Sequence, residues 1–145
     1  MRCAILILLI VILVGCESAG RGRPLGVVRL GPWQEFESMP EGDRELSALR
    51  LLVHKDARGL AVMSLLCTVD LSPLSKRALA GSEQWHSPLS GAAYDLSGRV
   101  ISGPAKHPLP YYELFVDKGP PGAPLTLYAY VGRIKDPEWR LTGKP

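Results

Sequence analysis

The sequence predicts an all-β fold, a small antiparallel β-sandwich built from hairpins. Three observations lead to this prediction. Short segments alternate apolar and polar residues, as half-buried strands do. Turn-forming sequences separate these segments at short intervals. Thirteen prolines and fifteen glycines in 145 residues leave little room for long helices. A chain of this length allows one domain.

The first strong strand signal is the alternating segment at residues 48–54. It places Leu49, Leu51 and Val53 on one face. A turn at residues 56–59 precedes a dense apolar strand at residues 60–66. The tight turn Ser97-Gly98 introduces residues 99–101. The last two predicted strands are residues 112–117, which end at a Gly-Pro-Pro-Gly turn, and residues 125–131.

The strand at residues 125–131 has the clearest alternation of the chain. Its period of two puts the aliphatic residues on one face and the polar and aromatic residues on the other. The first face carries Leu125, Leu127, Ala129 and Val131, and the second carries Thr126, Tyr128 and Tyr130.

The first 15 residues are typical of a bacterial lipoprotein signal peptide. A short basic start, Met1-Arg2, precedes an apolar run at residues 3–14, and the run ends Leu-Val-Gly-Cys at Cys16. A spanning helix needs about 20 apolar residues, so the run is too short for one. We expect cleavage before Cys16 and lipidation of its thiol. The alternative is an uncleaved membrane anchor with a chance cysteine.

Residues 16–26 are small, polar and glycine-rich, which predicts a lipidated flexible tether. Several acyl chains hold a protein at a bilayer durably. We therefore expect the domain on the periplasmic side of the bacterial cell envelope. Glu17 follows the lipidated cysteine where an aspartate would favour inner-membrane retention. A glutamate at this position weakly favours the outer membrane, and the choice between inner and outer membrane stays open.

The three cysteines give no disulfide in the predicted mature domain. Cys3 leaves with the signal peptide and Cys16 carries the lipid, so Cys67 remains alone. A lone thiol of this kind is either a small buried residue or a reactive group. The formal net charge is +3, without a basic stripe, which disfavours nucleic acid as a partner.

Two stretches carry a resemblance to a known family. The first is residues 59–74, GLAVMSLLCTVDLSPL, and the second is residues 85–95, WHSPLSGAAYD, continued by GRVISGPAKHPL at residues 98–109. They resemble the two cluster boxes and the proline loop of Rieske [2Fe–2S] proteins, particularly those of quinol-oxidising cytochrome complexes. The resemblance implies a Rieske-type β-domain at residues 27–140, with cluster loops and proline loop at residues 67–108 and a tail at residues 141–145.

The resemblance also implies that this chain has lost most of the cluster ligands. The family's boxes run Cys-Thr-His-Leu-Gly-Cys and Cys-Pro-Cys-His-Gly-Ser, with two thiolates and two imidazoles on the irons. The corresponding ligand positions here are Cys67, Val69, Ser87 and Ser90, and the positions of the family's disulfide are Ser72 and Leu89. Valine has no lone pair and serine is a poor iron ligand. We therefore expect no cluster, no other cofactor and no catalytic residues.

The family's role in respiration leads to the functional hypothesis. We expect a non-redox accessory or structural subunit of a membrane-bound electron-transfer complex. Its partners would be subunits of a cytochrome or quinol oxidoreductase complex, docked on the loop tip. The residues proposed for that contact are Leu74, Leu89, Pro104 and Pro108.

Two alternatives remain open from the sequence. In the first, Cys67 and His86, with Asp70, form a rebuilt site for a single metal ion in a redox protein. In the second, the domain is a free envelope-binding module unrelated to respiration, since function lives in sites rather than folds. Trp85 is either a core residue or part of a partner surface.

Overall fold

The structure is a computed structural model that describes residues 26–143. The predicted signal peptide, the lipidation site Cys16 and nearly all of the predicted tether lie outside these residues. No helix in the described part is long and apolar enough to cross a membrane. In chain order the elements are β1 (Val27–Pro32), α1 (Trp33–Glu37), β2 (Gly42–Leu46), a 3₁₀ turn (Ser47–Leu49), β3 (Leu51–Asp56), β4 (Gly59–Ser64), β5 (Ser75–Leu79), β6 (Ser82–His86), β7 (Ala93–Tyr94), β8 (Val100–Ser102), β9 (Tyr111–Asp117) and β10 (Thr126–Lys135).

The strands form two sheets, and every strand pair is antiparallel. The large sheet has six strands in the order β1-β10-β9-β4-β3-β2, and the small sheet has four in the order β5-β6-β7-β8. The all-β antiparallel fold predicted from the sequence is therefore confirmed.

The small sheet belongs to a lobe inserted between two neighbouring strands of the large sheet. Val62 and Met63 of β4 pair with Tyr112 and Tyr111 of β9, although residues 65–110 separate these strands in sequence. The Ser64 N–H also donates to the carbonyl of Pro110, at 2.9 Å. The chain thus leaves and re-enters the large sheet at one place, and the lobe contains the whole region predicted to carry the cluster loops.

Two apolar clusters form the core, one inside the large sheet and one beneath the lobe. Strand β4 belongs to both, because Leu60 and Val62 face the first cluster while Met63 faces the second. A strand buried on both faces reads as a continuous apolar run, which is the pattern that marked residues 60–66 in the sequence. The lobe cluster contains Leu52, Met63, Leu65, Cys67, Leu74, Trp85, Ala92, Tyr94, Ala105 and Leu109.

The strand predicted at residues 48–54 is placed differently by the structure. Residues 47–49 form a 3₁₀ turn, and Arg50 adopts a left-handed conformation with φ of 54° before β3 begins at Leu51. Leu49 is consequently 39% exposed and does not share a face with Leu51 and Val53. The alternation at position 49 is therefore a coincidence of sequence, because the bend at Arg50 resets the direction of the side chains.

The short helix α1 is held by a lysine from the large sheet. The Lys55 ammonium donates to the carbonyls of Phe36 at 3.2 Å, Glu37 at 2.6 Å and Met39 at 2.6 Å. The last carbonyls of a helix lack partners within the helix, so a cation at this end both satisfies them and complements the helix dipole. Phe36 packs in the core of the large sheet, and Lys55 fixes the backbone around it.

The C-terminal segment is part of the fold beyond the predicted limit at residue 140. Leu141 forms backbone hydrogen bonds with Leu60 in both directions, at 2.8 and 3.1 Å. The guanidinium of Arg140 binds the Asp56 carboxylate at 2.9 Å. Burial raises the pKa of Asp56, but the Arg58 backbone N–H and the guanidinium groups of Arg140 and Arg58 outweigh it and lower the pKa to about 2. These contacts close the segment over the turn between β3 and β4.

Candidate functional site

The first loop of the lobe runs from Leu65 to Leu74 and is closed at its base. The Leu74 N–H donates to the Leu65 carbonyl at 2.9 Å, and the Cys67 N–H donates to the Ser72 carbonyl at 2.9 Å. Leu71 reverses the chain in the left-handed region, with φ of 58°. This loop brings Cys67 to the inside and turns the side chains of residues 69 and 71 outwards.

The second loop runs from Ser87 to Ala92 and has a similar closure. The Ser87 N–H donates to the Ala92 carbonyl at 2.9 Å, and the Gly91 N–H donates to the Ser87 carbonyl at 3.0 Å. The proline loop packs directly against it at Gly103. A β-carbon at Gly103 would lie 2.7 Å from the Gly91 carbonyl oxygen and 2.8 Å from the Ala92 Cα. Glycine is required there because the two backbones touch.

Serine hydroxyls join the two loops at the predicted ligand and disulfide positions. The Ser72 and Ser87 hydroxyl oxygens lie 2.9 Å apart, and the Ser87 hydroxyl also donates to the Asp70 carboxylate at 3.2 Å. The Ser90 N–H donates to the Ser87 hydroxyl oxygen at 3.1 Å. Ser87 is fully buried. We call Asp70, Ser72, Ser87 and Ser90 the serine network.

The thiol of Cys67 lies beside this network, also fully buried. Its sulfur is 3.4 Å from the Ser90 hydroxyl and 3.5 Å from the Tyr94 hydroxyl, and it accepts from the Val69 N–H at 3.4 Å. Burial raises the pKa of the thiol, but hydrogen bonds from Ser90, Tyr94 and the backbone outweigh it and lower that pKa. Cys67 is thus a buried residue with polar partners, and burial keeps the thiol away from solvent.

A third set of hydrogen bonds ties the proline loop to the first loop. The hydroxyls of Thr68 and Tyr94 lie 2.9 Å apart, and the Thr68 N–H donates to the Tyr94 hydroxyl at 3.2 Å. The Thr68 hydroxyl also donates to the His107 carbonyl at 3.1 Å. Burial raises the pKa of Tyr94, so its hydroxyl stays protonated at neutral pH and keeps a proton to donate. All three loops therefore form one rigid tip.

The outer surface of the tip is apolar. Val69, Leu71 and Leu89 are exposed by 47%, 72% and 76%. Asp70 lies between Val69 and Leu71 in sequence, but its carboxylate accepts hydrogen bonds from Ser72 and Ser87. Hydrogen bonds from the Ser72 side chain and from the Ser72 N–H hold the pKa of the Asp70 carboxyl well below its usual range. We call Val69, Leu71 and Leu89 the tip surface.

The structure separates the four residues proposed for partner contact. Leu89, Pro104 and Pro108 are exposed, but Leu74 is only 7% exposed and belongs to the lobe cluster. Leu74 is therefore not available to a partner, because its backbone pairing with Leu65 turns the side chain into the core. Trp85, left open between core and surface, is 2% exposed and lies in that cluster.

Several of the former ligand and disulfide positions contact one another. Cys67 contacts Ser90, and the hydroxyl of Ser72 contacts that of Ser87. The sequence analysis considered Asp70 only as a metal ligand and missed its role as the acceptor that Ser72 and Ser87 share. A signal was present, since an Asp two residues before a Ser is a common turn motif in which the carboxylate accepts from the backbone. The Ser72 N–H does donate to Asp70, at 2.8 Å.

A mononuclear metal site at Cys67 and His86 gains no support from the geometry. Within residues 26–143, no three His, Cys, Asp or Glu side chains are grouped closely enough to hold a metal ion. His86 ends strand β6, where it pairs with Ser75 and Ala93.

Comparisons with known proteins show a weak structural likeness and no family assignment. No family model matches the chain, and no curated protein sequence matches it. One solved structure that is similar is a chain in the complex of reduced oxygenase and oxidised ferredoxin in carbazole 1,9a-dioxygenase. It is 22% identical, with a TM-score of 0.40 over 76% of this chain and 96% of that chain. The Rieske resemblance of this protein therefore rests on its own sequence stretches.

The residues present do not fit a Rieske cluster. Two thiolates and two imidazoles are needed, and the corresponding positions offer one thiol, two hydroxyls and a valine. The Val69 side chain is on the surface, and the hydroxyls of Ser87 and Ser90 are already bonded within the tip. A two-iron cluster would have to displace these hydrogen bonds and would gain a single thiolate.

Proposed function

We propose that this protein is a cluster-free, Rieske-like lipoprotein that serves as a non-redox accessory subunit of a membrane-bound respiratory electron-transfer complex. The observation that carries this proposal is the serine network, in which Ser72, Ser87 and Asp70 are bonded to one another across the two loops. Polar groups that satisfy each other stabilise a tip without a cofactor. A rigid tip that holds no cluster is suited to docking rather than to electron transfer.

The tip surface supports a docking role. Three large apolar side chains exposed by about half or more on one rigid tip are unusual for a monomer, and such patches mark interaction sites. Leu71 combines this exposure with a left-handed backbone, which costs about 1–2 kcal/mol for a residue with a β-carbon. Neither folding nor solubility favours a leucine there. A pocket on a partner would supply the missing favourable energy.

The predicted tether supports the choice of a membrane partner. A lipidated Cys16 and about ten residues of flexible chain would confine the domain to the neighbourhood of one membrane surface. Confinement raises the effective concentration towards neighbouring membrane proteins, so a small docking surface suffices. The respiratory type of the sequence resemblance points to a cytochrome or quinol oxidoreductase as that neighbour.

The test is recovery of haem proteins with the tagged full-length chain, from membranes of the bacterium that makes it. Leu89→Asp puts a charge on the tip surface and should lower the haem recovered per bait by at least about tenfold. The matched control is Leu79→Asp, because Leu79 is 58% exposed at the opposite end of the β5–β6 hairpin. It lies roughly 13 Å from the strand ends that carry the loops.

Three outcomes separate the possibilities. Haem recovery that is lost with Leu89→Asp and kept with Leu79→Asp supports the proposal. Equal recovery with both variants contradicts docking through the tip. Absence of haem protein with the unaltered chain contradicts a respiratory partner and favours an envelope-binding module.

A further inference from the structure

A cleft separate from the tip lies where the large sheet, the lobe and the C-terminal segment meet. Its volume is about 240 Å³. A cavity of roughly 150 Å³ already accepts a benzene-sized molecule, so this cleft has room for a small organic ligand. The large sheet contributes Asp43, Leu52, His54, Met63 and Tyr111, the lobe contributes Leu96, Ser97 and Arg99, and the C-terminal segment contributes Pro137, Glu138 and Arg140.

The floor of the cleft is apolar and rigid. Leu52 and Met63 are 4% and 1% exposed and belong to the lobe cluster. Tyr111 packs against that cluster, and its hydroxyl donates to the Ser97 carbonyl at 3.1 Å. This bond spans the junction between sheet and lobe, so the walls of the cleft are fixed relative to each other. Leu96, 39% exposed, adds apolar surface at the rim.

Two of the polar side chains in the cleft, His54 and Asp43, are paired with each other. The His54 Nδ1 lies 2.6 Å from the Asp43 carboxylate, across the β2–β3 hairpin. The His54 Nε2 also lies 3.8 Å from the Asp56 carboxylate. The negative charge of Asp43 is therefore already engaged by a ring nitrogen.

The charges contributed by the C-terminal segment are engaged as well. The Glu138 carboxylate accepts from the Arg58 guanidinium at 2.8 Å. Arg140 binds Asp56 through two of its nitrogens and gives the third to the carbonyls of Pro137 and Trp139. Neither side chain can neutralise a ligand without losing an existing partner.

Arg99 is the exception. Its backbone N–H donates to the Asp95 carboxylate, but its guanidinium makes no hydrogen bond or ion pair within residues 26–143. An unpaired guanidinium beside an apolar surface is suited to a ligand that has a carboxylate on a small apolar group, because the guanidinium can bind the carboxylate with two hydrogen bonds. Pockets of this kind bind the apolar body by burial and orient the ligand through a few placed polar groups.

We propose that this cleft binds a small organic carboxylate, with Arg99 holding the carboxylate and Leu96, Tyr111 and Pro137 receiving the apolar part. The site does not involve the tip, and the proposal does not rest on the proposed docking function. A ligand bound here would contact the large sheet, the lobe and the C-terminal segment at once, because all three line the cleft.

Calorimetric titration of the full-length protein in lipid nanodiscs tests this directly, with empty nanodiscs as the blank. Benzoate is the probe, and benzamide is its neutral isostere. We expect benzoate to bind at least about tenfold more tightly than benzamide, because a charge-assisted bidentate contact is worth more than a neutral one. Equal affinity for the two probes, or heat no larger than that of empty nanodiscs, would overturn the proposal.

Variants identify the residue responsible. Arg99→Gln should weaken benzoate binding by at least about tenfold and leave benzamide unchanged. Arg29→Gln is the matched control, because Arg29 is an exposed arginine on strand β1 outside the cleft. Arg99 is itself exposed, so both variants should keep the unfolding temperature of the parent. Unchanged benzoate affinity in Arg99→Gln would assign the binding to another place.

Discussion

The hydroxyl oxygens of Ser72 and Ser87 lie 2.9 Å apart, and this contact joins the two loops of the lobe. In the family that the sequence resembles, these positions belong to the disulfide and to a cluster ligand. Here a direct side-chain contact connects them, with the Asp70 carboxylate as a shared acceptor. The loops are therefore held by ordinary hydrogen bonds between three polar residues.

Removal of the Ser87 hydroxyl should destabilise the protein. Ser87→Ala removes the acceptor of the Ser90 N–H and the contact of the buried Ser87 hydroxyl with Ser72 and Asp70. The free energy of unfolding should fall by about 1–3 kcal/mol, measured by urea denaturation. Ser102→Ala is the control, because Ser102 is exposed on strand β8 and should change stability by less than about 0.5 kcal/mol. Equal effects of the two substitutions would show that the serine network is not a stabilising unit.

Asp70 should make this stabilisation dependent on pH. Its pKa is lowered in the folded protein, so the ionised carboxylate stabilises the fold above the ordinary aspartate pKa of about 4. That contribution is lost as the pH falls below this value towards the folded pKa. The stability difference between the parent and Asp70→Asn should therefore be larger at pH 7 than at pH 3. A difference that stays constant between these pH values would contradict the assignment.

Arg140 should be more important for stability than its neighbour Arg58. The Arg140 side chain is 9% exposed and Arg58 is 54% exposed, although both bind Asp56. Arg140→Met leaves the partly buried Asp56 carboxylate with fewer partners, and we expect a loss of about 1–2 kcal/mol. Arg58→Met, at an exposed ion pair, should cost less than Arg140→Met. Thermal unfolding of the two variants compares them, and the reverse order would be inconsistent with this structure.

Gly103 should tolerate a side chain less well than Gly81. Both have a positive φ, 88° and 81°, so alanine at either position costs about 1–2 kcal/mol for the left-handed backbone. At Gly103 the added β-carbon also meets the backbone of the second loop, whereas nothing lies within 4 Å at Gly81. The unfolding free energy of Gly103→Ala should therefore fall further than that of Gly81→Ala. Similar losses in both variants would mean that the proline loop yields easily.

The sequence predicts the fold better than the details of the tip. Alternation in residues 125–131 correctly places Leu127 and Ala129 together in the cluster of the large sheet, because a strand has a fixed period of two. It does not show that Thr126 and Tyr128 on the other face are buried as well. The prediction for Leu49 is wrong for a local reason. The residue that adopts the left-handed conformation is Arg50, and an arginine does not indicate a turn as a glycine or an asparagine would.

The tip is harder to predict because its contacts connect residues far apart in sequence. The contact between Cys67 and Ser90 joins residues 23 apart in sequence, at two positions that correspond to cluster ligands in the family that the sequence resembles. The pairing of Ser72 with Ser87 requires the second loop to lie against the first, which no local pattern specifies. The sequence analysis proposes Leu74 as a contact residue at the tip, but the hydrogen bond between Leu74 and Leu65 closes the first loop and buries its side chain.

Iron content and electron paramagnetic resonance of the reduced full-length protein test the central claim most directly. The protein would be produced in a host able to assemble iron–sulfur clusters and purified in detergent. We expect less than stoichiometric iron, no signal from a reduced cluster and a cooperatively unfolding β-protein. Two irons per chain, with a reduced-cluster signal that disappears in Cys67→Ser, would contradict the account and make the protein an electron carrier.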